Sequence, residues 1–277
     1  MTAKHDSKRH RDEPSFLMKT NPFTKLFIRI TALVSLAAGA PCGAATVAQW
    51  SFDGLKPGEP ISLVKGTGAS PFDLAQTLKH RRPMAVALPA ADTIPAALRG
   101  RVAARFADDS VKESDLLEAA AAQPSLDFAE TAPFTIEAWV MLKSLPREKG
   151  WQRAIFSTRS QSPGNPGLVL SVGPEGNVLF GIDGGEPFRN LKSEAVIPTG
   201  VWWHIAAVRD ERGRVTLFVN GKKDAVPPVL ARYGVKTDSP PMIGSTAHAG
   251  SRSRWDGDIA AIRISDAALT PEQFLHQ

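Results

Sequence analysis

Carboxylates are the first residues to weigh for chemistry, because breaking a glycosidic bond takes two of them flanking one bond. Hydrolases built on β-sandwiches set such a pair on one strand face as E-x-D-x-x-E or E-x-D-x-E. No strand-like segment here has that spacing: Glu137 stands alone, and Asp256 and Asp258 straddle a glycine at a turn. An enzyme would need carboxylates converging from different strands, for example Glu137 with Asp183 or Glu186. Without such a pair the chain reads as non-enzymatic. His204 lies beside Trp202 and Trp203 with no second His or Cys at ligand spacing, which describes a packed, hydrogen-bonded histidine. There is no G-x-S-x-G elbow, and Gly184-Gly185 lacks the Lys-Ser/Thr that completes a phosphate loop.

Binding is the stronger expectation. An exposed aromatic ring beside polar donors can stack on the apolar face of a sugar. The loop or strand-edge segments that offer this are Trp151 with Arg153, Phe188 with Arg189, Tyr233, and Arg254 with Trp255. These seven are the candidate ligand-binding residues. Trp50, Trp139, Trp202 and Trp203 fall within strand patterns and are assigned to the core.

The elements that must position these groups are strands. Phe134, Ile136, Ala138 and Val140 alternate with Thr135, Glu137, Trp139 and Met141, the period of two that puts one set in a core. A hairpin follows: Trp203, Ile205 and Ala207 alternate with Trp202, His204 and Ala206, Asp210 to Gly213 turns the chain, and Val215, Leu217 and Val219 return. Asn220-Gly221 is the signature of a type I′ turn. Strands are expected at 134–142, 153–159, 167–173, 177–183, 201–209, 214–220, 241–245 and 257–265. That rhythm means two antiparallel sheets packed face to face. Upstream, six prolines break 54–97 into extended loops with short strands near 61–63 and 84–86, and 100–106 alternates again. Residues 113–123, behind Ser114 and Asp115 and ended by Pro124, suit a short helix.

Taken in order, these segments resemble the laminin-G-like jelly-roll family of the concanavalin A-like superfamily. The resemblance rests on Val47 to Asp53, F-T-I-E-A-W-V at Phe134 to Val140, Trp202 to Ala206, Leu217 to Gly221, Ile243-Gly244, Gly257 to Ile264 and Ala267 to Pro271. It implies an all-β, two-sheet antiparallel jelly roll with minor short helices. It further implies an exported recognition module for carbohydrate or a cell-surface or extracellular partner. A divergent glycan-active hydrolase, or a structural or adhesion domain with a protein partner, are the alternatives, since one architecture hosts many activities. Relatives often hold calcium through Asp and Asn side chains. The candidates here are Asp53, Asp108, Asp109, Asp256 and Asp258, but Ala260-Ala261 and Ala107 stand where the family places acids. Calcium is thus a candidate structural ion with no ligand set assigned.

The chain of 277 residues carries a net charge of +5. Residues 1–45 hold seven Lys/Arg against three acids, so +4 of it lies there and the remainder is nearly neutral, which argues against nucleic acid. The apolar run Ile30 to Ala40, after a basic start and before Gly43-Ala44-Ala45, describes a secretory signal peptide cleaved after Ala44 or Ala45. It is too short to span a membrane. Met18-Lys19 would open a more ordinary signal, leaving 1–17 as a start-site misassignment. The expected organisation is a leader over 1–45 and one domain over 46–277, secreted, periplasmic or extracellular. Cys42 is the sole cysteine and lies in the leader, so the domain relies on no disulfide.

Overall fold

The computed structural model describes residues 44–77, 81–108, 115–148, 151–159, 167–183, 189–232, 234–247 and 253–275. The leader, apart from its last two residues, lies outside them. In chain order the strands are β1 (Thr46–Ser51), β2 (Leu63–Val64), β3 (Leu74–Ala75), β4 (Met84–Ala87), β5 (Val102–Phe106), β6 (Leu117–Glu118), β7 (Phe134–Leu142), β8 (Arg153–Ser157) and β9 (Gly167–Val172). They continue with β10 (Asn177–Asp183), β11 (Arg189–Val196), β12 (Trp202–Arg209), β13 (Arg214–Val219), β14 (Lys222–Lys223), β15 (Val229–Leu230), β16 (Met242–Ile243) and β17 (Gly257–Ser265). Helical structure among the described residues is confined to short 3-10 turns such as Pro271–Gln273.

Two antiparallel sheets result. The first runs β14-β13-β12-β7-β17-β5-β4, with β1 also on β17 and β15 also on β13; the second runs β11-β10-β9-β8-β16-β6-β3-β2. β17 occupies the centre of the first sheet. One edge pairs with β7, while the other is shared by β5 at Gly257 to Ile259 and by β1 from Ala261 to Ser265. Gly257 makes that entry possible: at φ +147° a Cβ would sit 2.1 Å from the Met141 carbonyl oxygen, so a side chain there would force β17 off β7.

The alternation in β7 works as its residue types dictate. Phe134, Ile136, Ala138, Val140 and Leu142 join the core between the sheets with Trp50, Phe52, Phe106, Phe156 and Phe180. Trp50 stacks on Phe156 at 5.7 Å and meets Phe72 edge-on at 4.9 Å. Each such side chain, fully buried, contributes about 1.5–3 kcal/mol. The opposite face of β7 is covered too, since Thr135 and Glu137 are fully buried and Trp139 is 5% exposed. Its cover is the segment after β17 together with the stretch around Leu88 and Leu98.

The Asn220-Gly221 turn has the expected form, with φ of +48° and +71°. The Asn220 amide N–H donates to the His204 carbonyl at 2.7 Å, and its side-chain oxygen accepts the His204 N–H at 2.9 Å. Two expectations need correction. The stretch expected to be helical contains β6, paired with β16; Leu116 and Leu117 are buried, and sheet burial overrides the helical preference of the alanines beside them. The second is an omission: β11, with Leu191 and Ser193 buried and Lys192 and Glu194 exposed, was not recognised as a strand.

β11 is an edge strand, and Asp224 blunts it. Its carboxylate accepts the backbone N–H groups of Glu194 at 2.8 Å, Ala195 at 3.0 Å and Val226 at 3.0 Å. Burial raises the Asp224 pKa, but the three N–H groups prevail and hold it below the usual 3.8. A carboxyl with a depressed folded pKa stabilises the fold above its unfolded value, and that contribution fades as pH falls through the folded value. Asp224→Ala should therefore lower stability at pH 7 by about 1–3 kcal/mol. In denaturant titrations its deficit against the wild type should shrink as the pH is taken below 3.8.

Candidate functional site

At one end of the sandwich three segments meet: 107–108 after β5, 143–148 with 151–152 between β7 and β8, and 253–256 before β17. Arg153 ties them together. All five of its N–H donors are engaged: Nε with the Ser144 carbonyl at 3.1 Å, and Nη1 with Asp108 Oδ2 at 2.6 Å and the Arg254 carbonyl at 2.9 Å. Nη2 donates to Ser144 Oγ and the Leu145 carbonyl, both at 3.0 Å. The side chain is 3% exposed. Arg254 places Nη1 3.7 Å from Asp108 Oδ1, so two buried guanidiniums flank one carboxylate. Asp256 accepts the Ser144 hydroxyl, and its backbone carbonyl accepts the Lys143 N–H at 2.8 Å.

Of the expected ligand-binding residues, Arg153, Arg254 and Trp255 are thus brought together, with Trp151 two residues before Arg153. Their roles differ from the expectation. Trp255 is fully buried in the inter-sheet core and offers no ring to a ligand, and Arg153 and Arg254 are internal struts. The shared cause is that this loop folds inward to satisfy carbonyls that would otherwise be buried without partners. Trp151 remains half-buried, with its N–H on the Glu148 carbonyl at 3.1 Å. Phe188 and Tyr233 lie outside the described residues, and Arg189 is placed only as the first residue of β11. Sequence reasoning missed the exposed rim of the same loop, Lys143, Leu145, Arg147 and Glu148. Arg147 donates to the Asp108 carbonyl at 2.9 Å. Its signal was only the unfulfilled loop between two strong strand patterns.

The carboxylates considered for calcium are engaged otherwise. Asp258 receives Arg105 through two bonds, of 2.8 and 2.9 Å, Asp108 receives Arg153, and Asp53 takes Arg101 and the Val102 N–H. Burial raises the Asp53 pKa, while these partners more than offset it and leave it lowered. Asp109 lies outside the described residues. Among the described residues no three His, Cys, Asp or Glu side chains gather into a metal site.

The Glu137 surroundings are equally occupied. Arg263, opposite it on β17, donates Nε to Oε1 at 2.6 Å. His204 Nε2 lies 2.8 Å from Oε2, and the Leu275 N–H donates to Oε2 at 2.8 Å. A carboxylate only accepts, so the imidazole nitrogen facing it carries the proton. Thr135, two residues earlier, donates to the Ala267 carbonyl at 2.7 Å and accepts the Leu269 N–H at 3.0 Å. The Trp139 indole donates to the Leu275 carbonyl at 3.1 Å. This row of side chains fastens the C-terminal segment to the outer face of the first sheet. Asp183 belongs to the second sheet and Glu186 lies outside the described residues, so Glu137 and Asp183 do not share a face.

Lysine at position 153 would supply at most three donors where five are used. Arg153→Lys should cost about 3 kcal/mol or more, given roughly 1.5–3 kcal/mol for each charged hydrogen bond lost. Hydrogen exchange should speed up across 143–148 and 253–256 while β7 and β17 keep their protection. Unchanged exchange in those two loops would contradict the strut role.

Comparison with known proteins follows the fold. Among solved structures, the chain is similar to the binding domain of Paraclostridial Mosquitocidal Protein 1, at a TM-score of 0.60 and 15% identity over 83% of this chain and 50% of that one. It is also similar to the binding domain of Botulinum Neurotoxin serotype G, at 0.55 and 12% over 82% and 49%. Domain 4 of AbnA, a GH43 extracellular arabinanase from Geobacillus stearothermophilus, in complex with arabinotriose, gives 0.44 and 20% over 84% and 99%. The chain spans about half the length of the two toxin domains, and at these identities the likenesses bear on the fold alone. No curated protein matches the sequence. A laminin G family model matches residues 117–274, more than half of the chain. The chain belongs to the concanavalin A-like lectin/glucanases superfamily.

Proposed function

We propose that this chain is an exported, non-catalytic binding module that meets carbohydrate at the loop rim carrying Trp151. The observation that supports it most is the Arg153 network, which fixes the backbone of that loop through the carbonyls of Ser144 and Leu145. Loops positioned by a rigid scaffold are where recognition concentrates, because no ordering cost remains to be met on binding. On this reading Trp151 supplies the apolar face, and Gln152, anchored by the Ser171 hydroxyl at 3.0 Å, and Arg147 supply polar contacts at its side. Asp108 and Asp256 beside the rim are committed to arginine and serine, which favours recognition over cleavage. The two solved structures of greatest likeness named above are binding domains by their titles, which is in keeping with a module that holds a ligand.

A second reading, docking to an extracellular protein, is favoured by Leu145 and Val196, exposed by 38% and 54%, whose side chains lie against the same backbone at Gly176. A glycan array probed with the domain from residue 46 onward separates the two. The carbohydrate reading expects retention of at least one glycan class, equal with calcium and with chelator, because Asp108 and Asp256 beside the rim are already taken by arginine and serine. It also expects at least a tenfold loss in Trp151→Ala, roughly the effect of removing one stacking ring, and no release of reducing ends from any polysaccharide retained. Retention of no glycan in either condition would favour the protein partner. Release of reducing ends would overturn the non-catalytic assignment.

A further inference from the structure

On the outer face of the first sheet lies a cleft of about 220 Å³ lined by Pro95, Trp139, Trp202 and Asn220. We infer that it is a second ligand site, built for a single neutral sugar unit. The sequence assigned both tryptophans to the core, and nearly all of each indole is indeed there. Trp139 and Trp202 pack with Leu88, Leu98 and Ala260, and each keeps 5% of its surface accessible. The accessible strip of each lines the cleft.

Backbone register builds the site. On the paired strands β7 and β12, Trp202 lies opposite Met141 and His204 opposite Trp139, so both indoles project from one face. Pro95 arrives from the segment that covers this face, just ahead of the 3-10 turn Ala96–Leu98. Asn220 comes from the hairpin turn after β13. Its side-chain oxygen is held by the His204 N–H at 2.9 Å, which fixes the amide's orientation and leaves its nitrogen as the donor available to a ligand.

The chemistry of the lining selects the occupant. Among the described residues no charged side chain lines the cleft, so a neutral ligand desolvates no charge on them that must be matched by an opposite one. The Trp139 indole nitrogen is already engaged by the Leu275 carbonyl at 3.1 Å, so that wall presents carbon only. Two indoles and a pyrrolidine ring give an apolar surface suited to the C–H groups of a sugar ring, and the Asn220 amide supplies one donor to a ring hydroxyl. Pockets for drug-sized ligands run to about 300–1,000 Å³; this cleft admits one ring. With a single hydrogen bond and a small apolar contact, the dissociation constant should be on the order of millimolar. The site goes beyond the rim reading and can hold or fail independently of it.

The test is an NMR titration of the ¹⁵N-labelled domain, following the indole N–H signals of Trp139 and Trp202. The probes are glucose, galactose, mannose, xylose, arabinose and N-acetylglucosamine, each raised to about 100 mM, well above a millimolar constant. The expected result is a saturable shift of these signals with at least one sugar, unaltered in Trp151→Ala. Asn220→Asp keeps the acceptor for the His204 N–H and tolerates positive φ, yet removes the donor. It should weaken binding about fivefold or more, the usual effect of one lost hydrogen bond. Pro95→Ala, which removes one wall without touching the turn, should weaken it as well. No shift with any sugar, shifts undiminished in both variants, or shifts abolished by Trp151→Ala would overturn the assignment.

Discussion

A buried carboxylate on the covered outer face of the first sheet is the constraint that orders this molecule. Glu137 lies in the middle of β7 with no exposed surface, and a charge in that position is tolerable only when paired and hydrogen-bonded. Its partners come from β12, β17 and the C-terminal segment: His204, Arg263 and the Leu275 N–H. Satisfying it requires all three to be in place together. A slip of one residue in β7 would turn Glu137 into the core between the sheets and Phe134, Ile136 and Ala138 out of it. The carboxylate thus marks one register as admissible, and it couples that register to closure of the chain's end over the sheet.

The same logic, applied at the end of the sandwich, converts charge into loop order. Arg153 and Arg254 flank Asp108 and Arg105 takes Asp258, while ahead of β5, at its other end, Arg101 takes Asp53. Arg153 and Arg101 reach backbone carbonyls as well as carboxylates, and the planar guanidinium serves several at once where a lysine could not. Arg209 also reaches carbonyls: it is buried against the Phe134 ring at 4.5 Å and donates to the carbonyls of Ala129 and Ala132, while burial lowers its pKa to about 10. Loops fixed by their own arginines follow.

Much of this was legible in the sequence, and the limits have physical causes. Period-two alternation located β7, β10 and β17 to the residue, because both faces of those strands are constrained. Asn220-Gly221 announced its turn because few residues adopt positive φ. β11 escaped notice because an edge strand with one polar face, R-N-L-K-S-E-A-V, has too little apolar alternation to stand out. The motif residues Glu137, His204 and Arg263 were all visible, yet their convergence was not, since pairing between distant strands is a property of topology. Trp255 was misjudged for a related reason: flanking arginines suggested a surface, whereas here they are buried with their own partners.

Glu137 is therefore assigned as an anchor of the fold, and hydrogen exchange in Glu137→Gln tests this most directly. The account predicts that the amides of Leu269 and Leu275 lose protection together, with a stability loss of about 3–5 kcal/mol, as expected when a buried charge loses its partner. Ligand retention at the Trp151 rim should persist wherever the variant is folded. Full protection of both amides with unchanged stability, or loss of an activity toward a polysaccharide while the tail stays closed, would contradict it.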